Sequence, residues 1–318
     1  MRSCGRLRVG VSACLLGEAV RWDGGHKRDP FLTDLLGPFV EWVPVCPEVE
    51  LGLGIPREPI HLAGDPAAPR LVAPRSGADH TAAMRRYVRA RIAALARAGL
   101  VGYVLKKDSP SCGMTRVRVH RDDGRVERTG VGMFARELLA ALPLLPVVED
   151  GRLHDPRLRE NFVERLFAYA RWRAFRDARP TRGGLVAFHA RHKYQLLVHS
   201  PSAHRALGRL VATVKQRPLG ATLDAYGAGF MRALTTLATP GRHANVLEHM
   251  LGYVSDALSP PERQELLEHI TDHRRGLVPL VVPLTLLRHH VRRLGLAYLA
   301  EQTYLEPHPK ELMLRNHV

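Results

Sequence analysis

The sequence predicts two domains: an N-terminal α/β domain, Rossmann-like with a mainly parallel sheet, and an all-α C-terminal domain. From Leu7 to about Val148, short apolar runs that favour strands alternate with helical segments, which is the pattern of α/β folds. From Asp155 onward, apolar residues recur with the 3.6-residue period of helices. A chain of 318 residues is long enough for two cores. We therefore assign residues 1–150 to the first domain and 151–318 to the second.

The elements of the first domain follow from periodicity and turn chemistry. Pro44 lies inside the second predicted strand, so this strand is expected at an edge of the sheet. Gly99 is expected to end a long helix, and Asp122-Asp123-Gly124 indicates a hairpin. Residues 58–74 are expected to be loop and short strand. The predicted strands are 7–13, 40–45, 102–105, 117–120, 125–128 and 145–148, and the predicted helices are 30–36, 79–98 and 132–142.

The second domain contains few strand-like runs. The segment 277–283 is the main ambiguity, and its two prolines favour a connector. The helices are predicted over residues 156–176, 183–199, 201–216, 220–238, 242–257, 260–275 and 283–303.

Composition limits where the protein works. No apolar run approaches the roughly 20 residues that a membrane span requires. The basic start of the chain lacks the apolar segment of a signal peptide, so we expect a cytoplasmic protein with no membrane partner. The four cysteines are then expected to be reduced, because disulfides are rare in that compartment.

Positive charge is concentrated in the second domain. The chain has a formal net charge of +16, and residues 151–318 hold 25 Lys and Arg against 14 Asp and Glu, which is +11. A basic domain of this kind indicates a polyanionic partner such as nucleic acid. The alternative is a general compositional bias towards arginine, but such a bias does not explain why acidic residues fail to balance the basic ones.

Cysteines follow three of the predicted strands. Cys14, Cys46 and Cys112 each come after a strand-like run and begin or end a turn-rich loop. Ligands of α/β sheets bind at the carboxyl ends of the strands, so we expect the three thiols to meet. Reduced thiols suit zinc or an iron–sulfur cluster. Cys4 is available as a fourth ligand, but it lies in the first turns of the chain. Without it, one metal position stays open and has affinity for sulfur.

Polar residues near these cysteines are candidates for chemistry. Glu48 lies two residues after Cys46 and is a candidate general acid or base, although it is equally placed to cap a helix after Pro47. Ser109 and Ser111 offer hydroxyl groups beside Cys112, and Ser109 is also a candidate helix cap.

Charged residues near the site have alternatives as well. Lys106 and Lys107 offer cations for an anionic substrate or leaving group. Asp23 precedes Gly24-Gly25, so it either orients a partner or stabilises the turn.

Four motifs of the first domain resemble the thiouracil desulfidase family. They are Val11–Gly17, Arg21–Gly24, Val45–Glu48 and Ser109–Gly113, in this order. The resemblance implies a [4Fe-4S] cluster held by three cysteines, with one open iron that takes sulfur from a thiocarbonyl base while water replaces it. It implies Cys14, Cys46 and Cys112 as ligands, with Glu48 and Ser109 serving the reaction as catalytic residues. Beside them, the residues that we expect to bind substrate are Ser12, Asp23, Lys106 and Ser111. Cys4 lies outside every motif, and Lys107-Asp108 departs from the less charged pair expected before Ser109.

The second domain is similar to a known companion domain, of the YbgA-like type. The similarity lies in segments 188–194, 199–201, 207–210, 286–290 and 307–318. The two-domain combination resembles tRNA 4-thiouridine desulfidases, in which the helical domain is thought to hold tRNA. The expected RNA contacts are His189, His192, Lys193, Tyr194, Arg288, His289 and Arg315. A zinc site formed by the histidines is the less favoured alternative.

The resulting hypothesis is a hydrolytic desulfidase that converts 4-thiouridine in tRNA to uridine and sulfide without net redox change. The helical domain would hold the RNA backbone while the base turns out of its stack. Two rivals stay open. One is a desulfidase of free thiouracil or other 2-thiolated bases. The other is a non-catalytic iron–sulfur protein that binds RNA or senses redox state, with Cys4 as a fourth ligand. The sequence indicates no protein partner.

Overall fold

The computed structural model describes residues 6–318 and divides into two compact units, Met1–His154 and Asp155–Val318. The boundary between the units lies after His154, four residues later than the boundary predicted after residue 150. The reason is local, since a 3₁₀ turn over Asp150–His154 continues directly from the last strand of the first unit and buries Leu153. Each unit is described by itself below.

Eight strands form two sheets in the described part of the first unit. One sheet has the strand order β2-β1-β5-β8 and the other β4-β3-β6-β7. Their bounds are β1 Leu7–Ser12, β2 Val40–Val45, β3 His61–Ala63, β4 Arg70–Val72, β5 Gly102–Leu105, β6 Val117–His120, β7 Val126–Gly130 and β8 Val147–Glu149.

The first sheet is parallel throughout. β1 pairs with β2 on one side and β5 on the other, and β5 pairs with β8. β2 is an edge strand, as Pro44 predicts, because β1 is its only neighbour among the strands that residues 6–318 form. This arrangement confirms the predicted fold class of a mainly parallel α/β domain. The order of the strands, which periodicity does not encode, brings the ends of β2, β1 and β5 side by side.

The second sheet contains the hairpin that Asp122-Asp123-Gly124 predicts. β6 and β7 pair antiparallel across this turn. The short strands β3 and β4 come from the segment 58–74, and β3 pairs parallel with β6. The sequence does not predict that these strands form a separate sheet.

The described part of the first unit also contains three α-helices: α1 Pro47–Glu50, α2 Thr81–Arg97 and α3 Met133–Ala141. A π-helix covers Phe31–Leu36, and a 3₁₀ turn covers Ala13–Leu16. α2 buries one stripe of apolar side chains at helical spacing, namely Met84, Val88, Ile92 and Leu95.

The second unit is all-helical over its described residues, and none of the helices in residues 6–318 is long and apolar enough to span a membrane. The predicted helix 183–199 is interrupted at His192, and the last predicted helix ends before Gly295, which takes a left-handed conformation (φ 61°). The bounds are α4 Pro156–Asp177, α5 Arg182–Arg191, α6 Lys193–His199, α7 Pro201–Ala212, α8 Leu219–Ala233, α9 Pro240–Leu251, α10 Pro260–Arg275, α11 Val281–Arg293 and α12 Ala297–Ala300.

A buried polar network crosses the core of this unit. Glu164 accepts a hydrogen bond from Gln195 Nε2 at 2.8 Å and pairs with His199 Nε2 at 3.2 Å. One helical turn earlier, Glu160 pairs with Arg315 Nε at 3.3 Å and with His308 Nε2 at 3.5 Å. The network therefore fixes the C-terminal segment of the chain to α4.

We expect Glu164→Ala to destabilise the helical unit by about 3–5 kcal/mol, because it leaves a buried partner charge uncompensated. Urea unfolding followed by the fluorescence of Trp172 reports this, in a background where Trp22 and Trp42 are replaced by Phe. Glu268→Gln on the exposed side of α10 is the control. Equal midpoints for the two variants would mean that the pair does not stabilise the unit.

The same pair sets a pH window. Burial alone would raise the pKa of Glu164, but the charge and hydrogen bond of His199 outweigh it and lower this pKa from 4.5 to about 2. Burial alone would lower the pKa of His199, but the charge of Glu164 raises it above 6.5. The Glu164 contribution is lost as the pH falls below 4.5 towards 2, and the His199 contribution is lost as the pH rises through its raised pKa. The stability difference between wild type and Glu164→Gln should therefore be largest between pH 4.5 and 6.5.

Candidate functional site

Three cysteines meet at one edge of the parallel sheet. Cys14 lies in the turn after β1, Cys46 precedes α1 directly after β2, and Cys112 lies in the loop after β5. β2, β1 and β5 are neighbours, and parallel strands present their carboxyl ends at the same edge. All three side chains line one pocket of about 420 Å³.

The three thiols are free and largely buried. Burial raises the pKa of Cys14 to about 11, and it raises the pKa of Cys46 and of Cys112 as well. The neighbouring cysteines raise the pKa of Cys112 further, whereas a hydrogen bond from Ser12 opposes the rise. Such thiols become thiolates only beside a compensating positive charge, which a bound metal centre supplies.

The donor set fits a cluster better than a single ion. Within residues 6–318, no group of three or more His, Cys, Asp and Glu side chains converges closely enough to hold one metal ion. In a four-iron cluster each cysteine binds a different iron, so the thiols can face one pocket without converging on one point. Cys4 lies outside the described residues.

Glu48 is held by two other segments. Its Oε2 accepts hydrogen bonds from Arg57 Nε at 3.0 Å and from the terminal Nη2 of Arg57 at 2.6 Å. Its Oε1 accepts a hydrogen bond from Ser111 Oγ at 3.0 Å. A carboxylate offers about four acceptor positions, so one remains for a water molecule or a substrate in the pocket that Glu48 lines.

The two serines of the Cys112 loop differ in position. Ser109 lines the pocket, and its Oγ accepts hydrogen bonds from the backbone N–H of Ser111 at 3.2 Å and of Cys112 at 3.1 Å. Its own O–H remains available to a group in the pocket. Ser111 is fully buried and donates to Glu48. The predicted contact of Ser111 with substrate is therefore corrected to positioning Glu48.

Lys106 lines the pocket, but its charge is already paired. Its Nζ donates to Asp150 Oδ2 at 2.9 Å, and its backbone N–H donates to Ser12 Oγ at 3.0 Å. The backbone N–H of Lys107 donates to the other Asp150 oxygen at 2.7 Å. Asp150 thus ties the start of the Cys112 loop to the end of β8. The charge of Lys106 is therefore compensated by Asp150 within the protein, and both Lys106 and Ser12 line the pocket.

Asp23 is exposed, and its side chain stabilises the turn in which it lies. Its Oδ1 accepts a hydrogen bond from the backbone N–H of Gly25 at 3.0 Å, which is the first cause of its lowered pKa, and it pairs with Arg21 at 3.4 Å. It does not line the pocket, so its predicted substrate contact is corrected to a turn. The adjacent Trp22 does line the pocket and is 45% exposed. The sequence analysis missed it as a candidate for stacking on a base.

Arg57 is the second residue that the sequence analysis missed. Besides Glu48, it donates to the backbone carbonyls of Val20 and Gly54, both at 3.0 Å. Gly52 (φ 93°) and Gly54 (φ 78°) take left-handed conformations that favour glycine. They reverse the chain after α1, so that the side chain of Arg57 reaches the carboxylate of Glu48 in that helix. The signal was this Gly-x-Gly turn between a carboxylate and an arginine.

The predicted RNA contacts of the second unit fall into two groups. His192, Tyr194 and Arg315 are buried, so their predicted contact with RNA is corrected: they pack the core. Burial also lowers the pKa of His189 to about 4 and of His192 to about 3, so neither ring is a cation at neutral pH. The remaining predicted contacts lie at or near the surface: His189, Lys193, His289 and Arg288, the last paired with Glu306.

Fold and site together define a protein with a three-cysteine α/β domain and a separate all-helical unit. Comparison with known families agrees with this division. Residues 9–150 match the family model for 2-thiouracil desulfurase, and residues 193–309 match a family of unknown function, DUF1722.

Two relatives cover these halves. The uncharacterized protein YbgA of Escherichia coli (strain K12) is 33% identical over 164 residues, which is 50% of this chain and 95% of YbgA. The structure of a [4Fe-4S]-dependent thiouracil desulfidase, TudS, is 33% identical and covers 47% of this chain and 94% of its own, with a TM-score of 0.40. The chain belongs to the YbgA family and joins a DUF1722 domain to a 2-thiouracil desulfurase domain.

Proposed function

We propose that this protein is an iron–sulfur-dependent desulfidase that removes sulfur from 4-thiouridine in tRNA, giving uridine and sulfide. The observation that carries the proposal is one pocket lined by three cysteines, Glu48 and Ser109. The match of residues 9–150 to the 2-thiouracil desulfurase family supports a thiolated uracil base as substrate.

Cys14, Cys46 and Cys112 are the residues that would hold a [4Fe-4S] cluster. Three protein ligands leave one iron of such a cluster open, and when bound the cluster supplies a Lewis acid with affinity for sulfur. Cys14 and Cys112 are buried and Cys46 is partly buried, so the three thiols are largely shielded from bulk water.

Glu48 acts on water in this proposal. The carboxylate is oriented by Arg57 and Ser111, and it retains an acceptor position towards the pocket. It takes a proton from the water that attacks the carbon of the thiocarbonyl group, and it returns that proton to the departing sulfur. Hydrolysis exchanges sulfur for oxygen without a change of oxidation state, so no electron donor is required.

Ser109 and Trp22 position the base. The Ser109 oxygen accepts two backbone hydrogen bonds, so its O–H is directed to a partner elsewhere, and the pocket is where that partner would lie. There it donates a hydrogen bond to the reacting thiocarbonyl group and stabilises the charge that develops on it. Trp22 offers an aromatic face for a base that has left its stack.

The basic helical unit supports RNA as the carrier of the base. Its formal charge of +11 suits a phosphate backbone, which supplies most of the affinity of a nucleic-acid complex but little specificity. A free base carries no phosphate and would gain nothing from this charge.

A second candidate function is the desulfidation of free 2-thiouracil. It is favoured by the family description for residues 9–150 and by the size of the pocket, since about 420 Å³ lies within the usual range for a small-molecule site. Anaerobic incubation of cluster-loaded protein with bulk tRNA, and in parallel with 2-thiouracil, separates the two. We expect 4-thiouridine to disappear from the nucleoside digest while 2-thiouracil persists. Turnover of 2-thiouracil alone would establish the second candidate.

A further inference from the structure

A pair of exposed tyrosines lies on the helical unit. Tyr253 follows α9 and Tyr298 lies in α12, and their ring centroids are 5.6 Å apart at an interplanar angle of 33°. The two residues are 51% and 42% exposed. Buried aromatic pairs are common, but two large rings left open together at the surface indicate a binding site.

The pair is held in position before any partner binds. Tyr194 is buried and packs in one core cluster with Val254 and Leu299, which are the residues next to Tyr253 and Tyr298. Burial, and then the two neighbouring tyrosines, raise the pKa of Tyr194. The segment after α12 is fixed to the end of α5, because Gln302 Nε2 donates to the carbonyl of Ala190 at 3.1 Å. A fixed aromatic surface loses little conformational entropy when a ligand stacks on it.

Positive charge adjoins the pair. Lys193 Nζ lies 5.0 Å from the centroid of the Tyr194 ring. Arg205 is exposed and directly follows His204 in α7. Burial, and then the charges of Lys193 and Arg205, lower the pKa of His204. His204 in turn stacks on His189, with centroids 5.2 Å apart. Aromatic faces and cations therefore occupy one part of the surface.

We propose that Tyr253, Tyr298 and Lys193 form a platform that binds unpaired nucleotides of an RNA, with bases stacked on the tyrosines and phosphates beside Lys193 and Arg205. The proposal rests on the proposed function in taking tRNA as the natural partner. Flat aromatic faces next to cations suit nucleic acid better than an apolar protein surface. Only unstacked bases expose their faces, so the platform selects loops and single strands over duplexes.

The test uses the full chain and unmodified RNA, so it does not depend on desulfidation. Fluorescence anisotropy measures the affinity for an oligouridylate of about twelve nucleotides and for a duplex of the same length. We expect Tyr253→Ala/Tyr298→Ala to weaken binding of the oligouridylate about tenfold or more, and binding of the duplex far less. Tyr253→Phe/Tyr298→Phe keeps the rings and should stay close to wild type. Lys193→Ala should reduce the salt dependence by about one phosphate contact.

Leu277→Ala is the matched control, because Leu277 is 69% exposed in the same unit and lies outside the platform. Wild-type affinity of the double alanine variant, or an equal loss on the duplex, would overturn the proposal. So would a double alanine variant that loses self-association on size exclusion and keeps its RNA affinity, since the platform would then be a protein interface.

Photochemical cross-linking of oligouridylate to the wild-type protein makes the test independent of whether the variants fold. Cross-links on peptides that contain Tyr253 or Tyr298 support the platform, and cross-links only elsewhere overturn it. Platform binding without loss of 4-thiouridine would reject the proposed function and keep the platform. Loss of 4-thiouridine without platform binding would reject the platform and keep the proposed function.

Discussion

Glu48→Gln should lower the rate of desulfidation by about two to three orders of magnitude while the protein keeps its iron. General base catalysis contributes factors of this size, and glutamine keeps the shape of the side chain but cannot take a proton from water. The oxygen of the amide can still accept from one side, either Ser111 or Arg57, while its nitrogen can only donate. Single-turnover kinetics on thiolated tRNA, with iron determined on the same samples, measures the effect.

Two variants around Glu48 serve as controls. Ser111→Ala removes one of the three hydrogen bonds to the carboxylate and should reduce the rate by a smaller factor than Glu48→Gln. Arg57→Lys keeps a cation but loses the two-pronged contact with Oε2, so it should also give an intermediate rate. If Glu48→Gln keeps both its iron and its rate, Glu48 is not the base, and its contacts with Arg57 and Ser111 are structural.

The second large effect concerns the cysteines. Cys14→Ala, Cys46→Ala and Cys112→Ala should each abolish both iron binding and desulfidation, because each thiol is one of three that line the pocket. Visible absorption, iron content and acid-labile sulfide after anaerobic reconstitution measure the cluster, and nucleoside analysis measures the activity.

Cys4→Ala is the matched control, since Cys4 belongs to none of the motifs around the pocket. We expect this variant to keep its cluster and its activity. If Cys4→Ala loses the cluster as the other three variants do, the cluster has four protein ligands. It would then have no open iron, which favours a structural or sensing role.

The sequence predicts much of this site because its framework is local. Each cysteine follows a strand directly, and strand-like runs before turn residues are readable from periodicity. The position of Glu48 near the site is also predictable from the sequence, because it lies two residues after Cys46. What brings the three loops together is the strand order, which depends on packing across the whole sheet and has no local signal.

The contacts that orient the site depend on distant residues and were not predictable. Lys106 looks like a free cation in the sequence, and only the fold brings Asp150 to within 2.9 Å of its Nζ. Arg57 likewise reaches Glu48 because a glycine turn reverses the chain. Charge in a sequence reveals neither the partner nor the degree of burial.

In the helical unit, the sequence does not predict which aromatic and basic residues lie at the surface. His192 and Tyr194 lie in a run that mixes rings and charge, which suggested a surface. The helix breaks at His192, so both residues turn inward and become core. Tyr253 and Tyr298 are far apart in the sequence, and only the fold of the helical unit brings their rings together.

The hydrogen bond between Glu48 and Ser111 has a consequence for how the metal centre is built. It joins the loop of Cys46 to the loop of Cys112, and Asp150 ties the second loop to the end of β8. The loops that carry two of the thiols are thus braced by protein contacts alone. We therefore expect the cluster to be inserted into loops that already have their final arrangement. Protein purified without iron should stay folded, with a lower melting temperature than the loaded protein, and accept iron and sulfide without first unfolding.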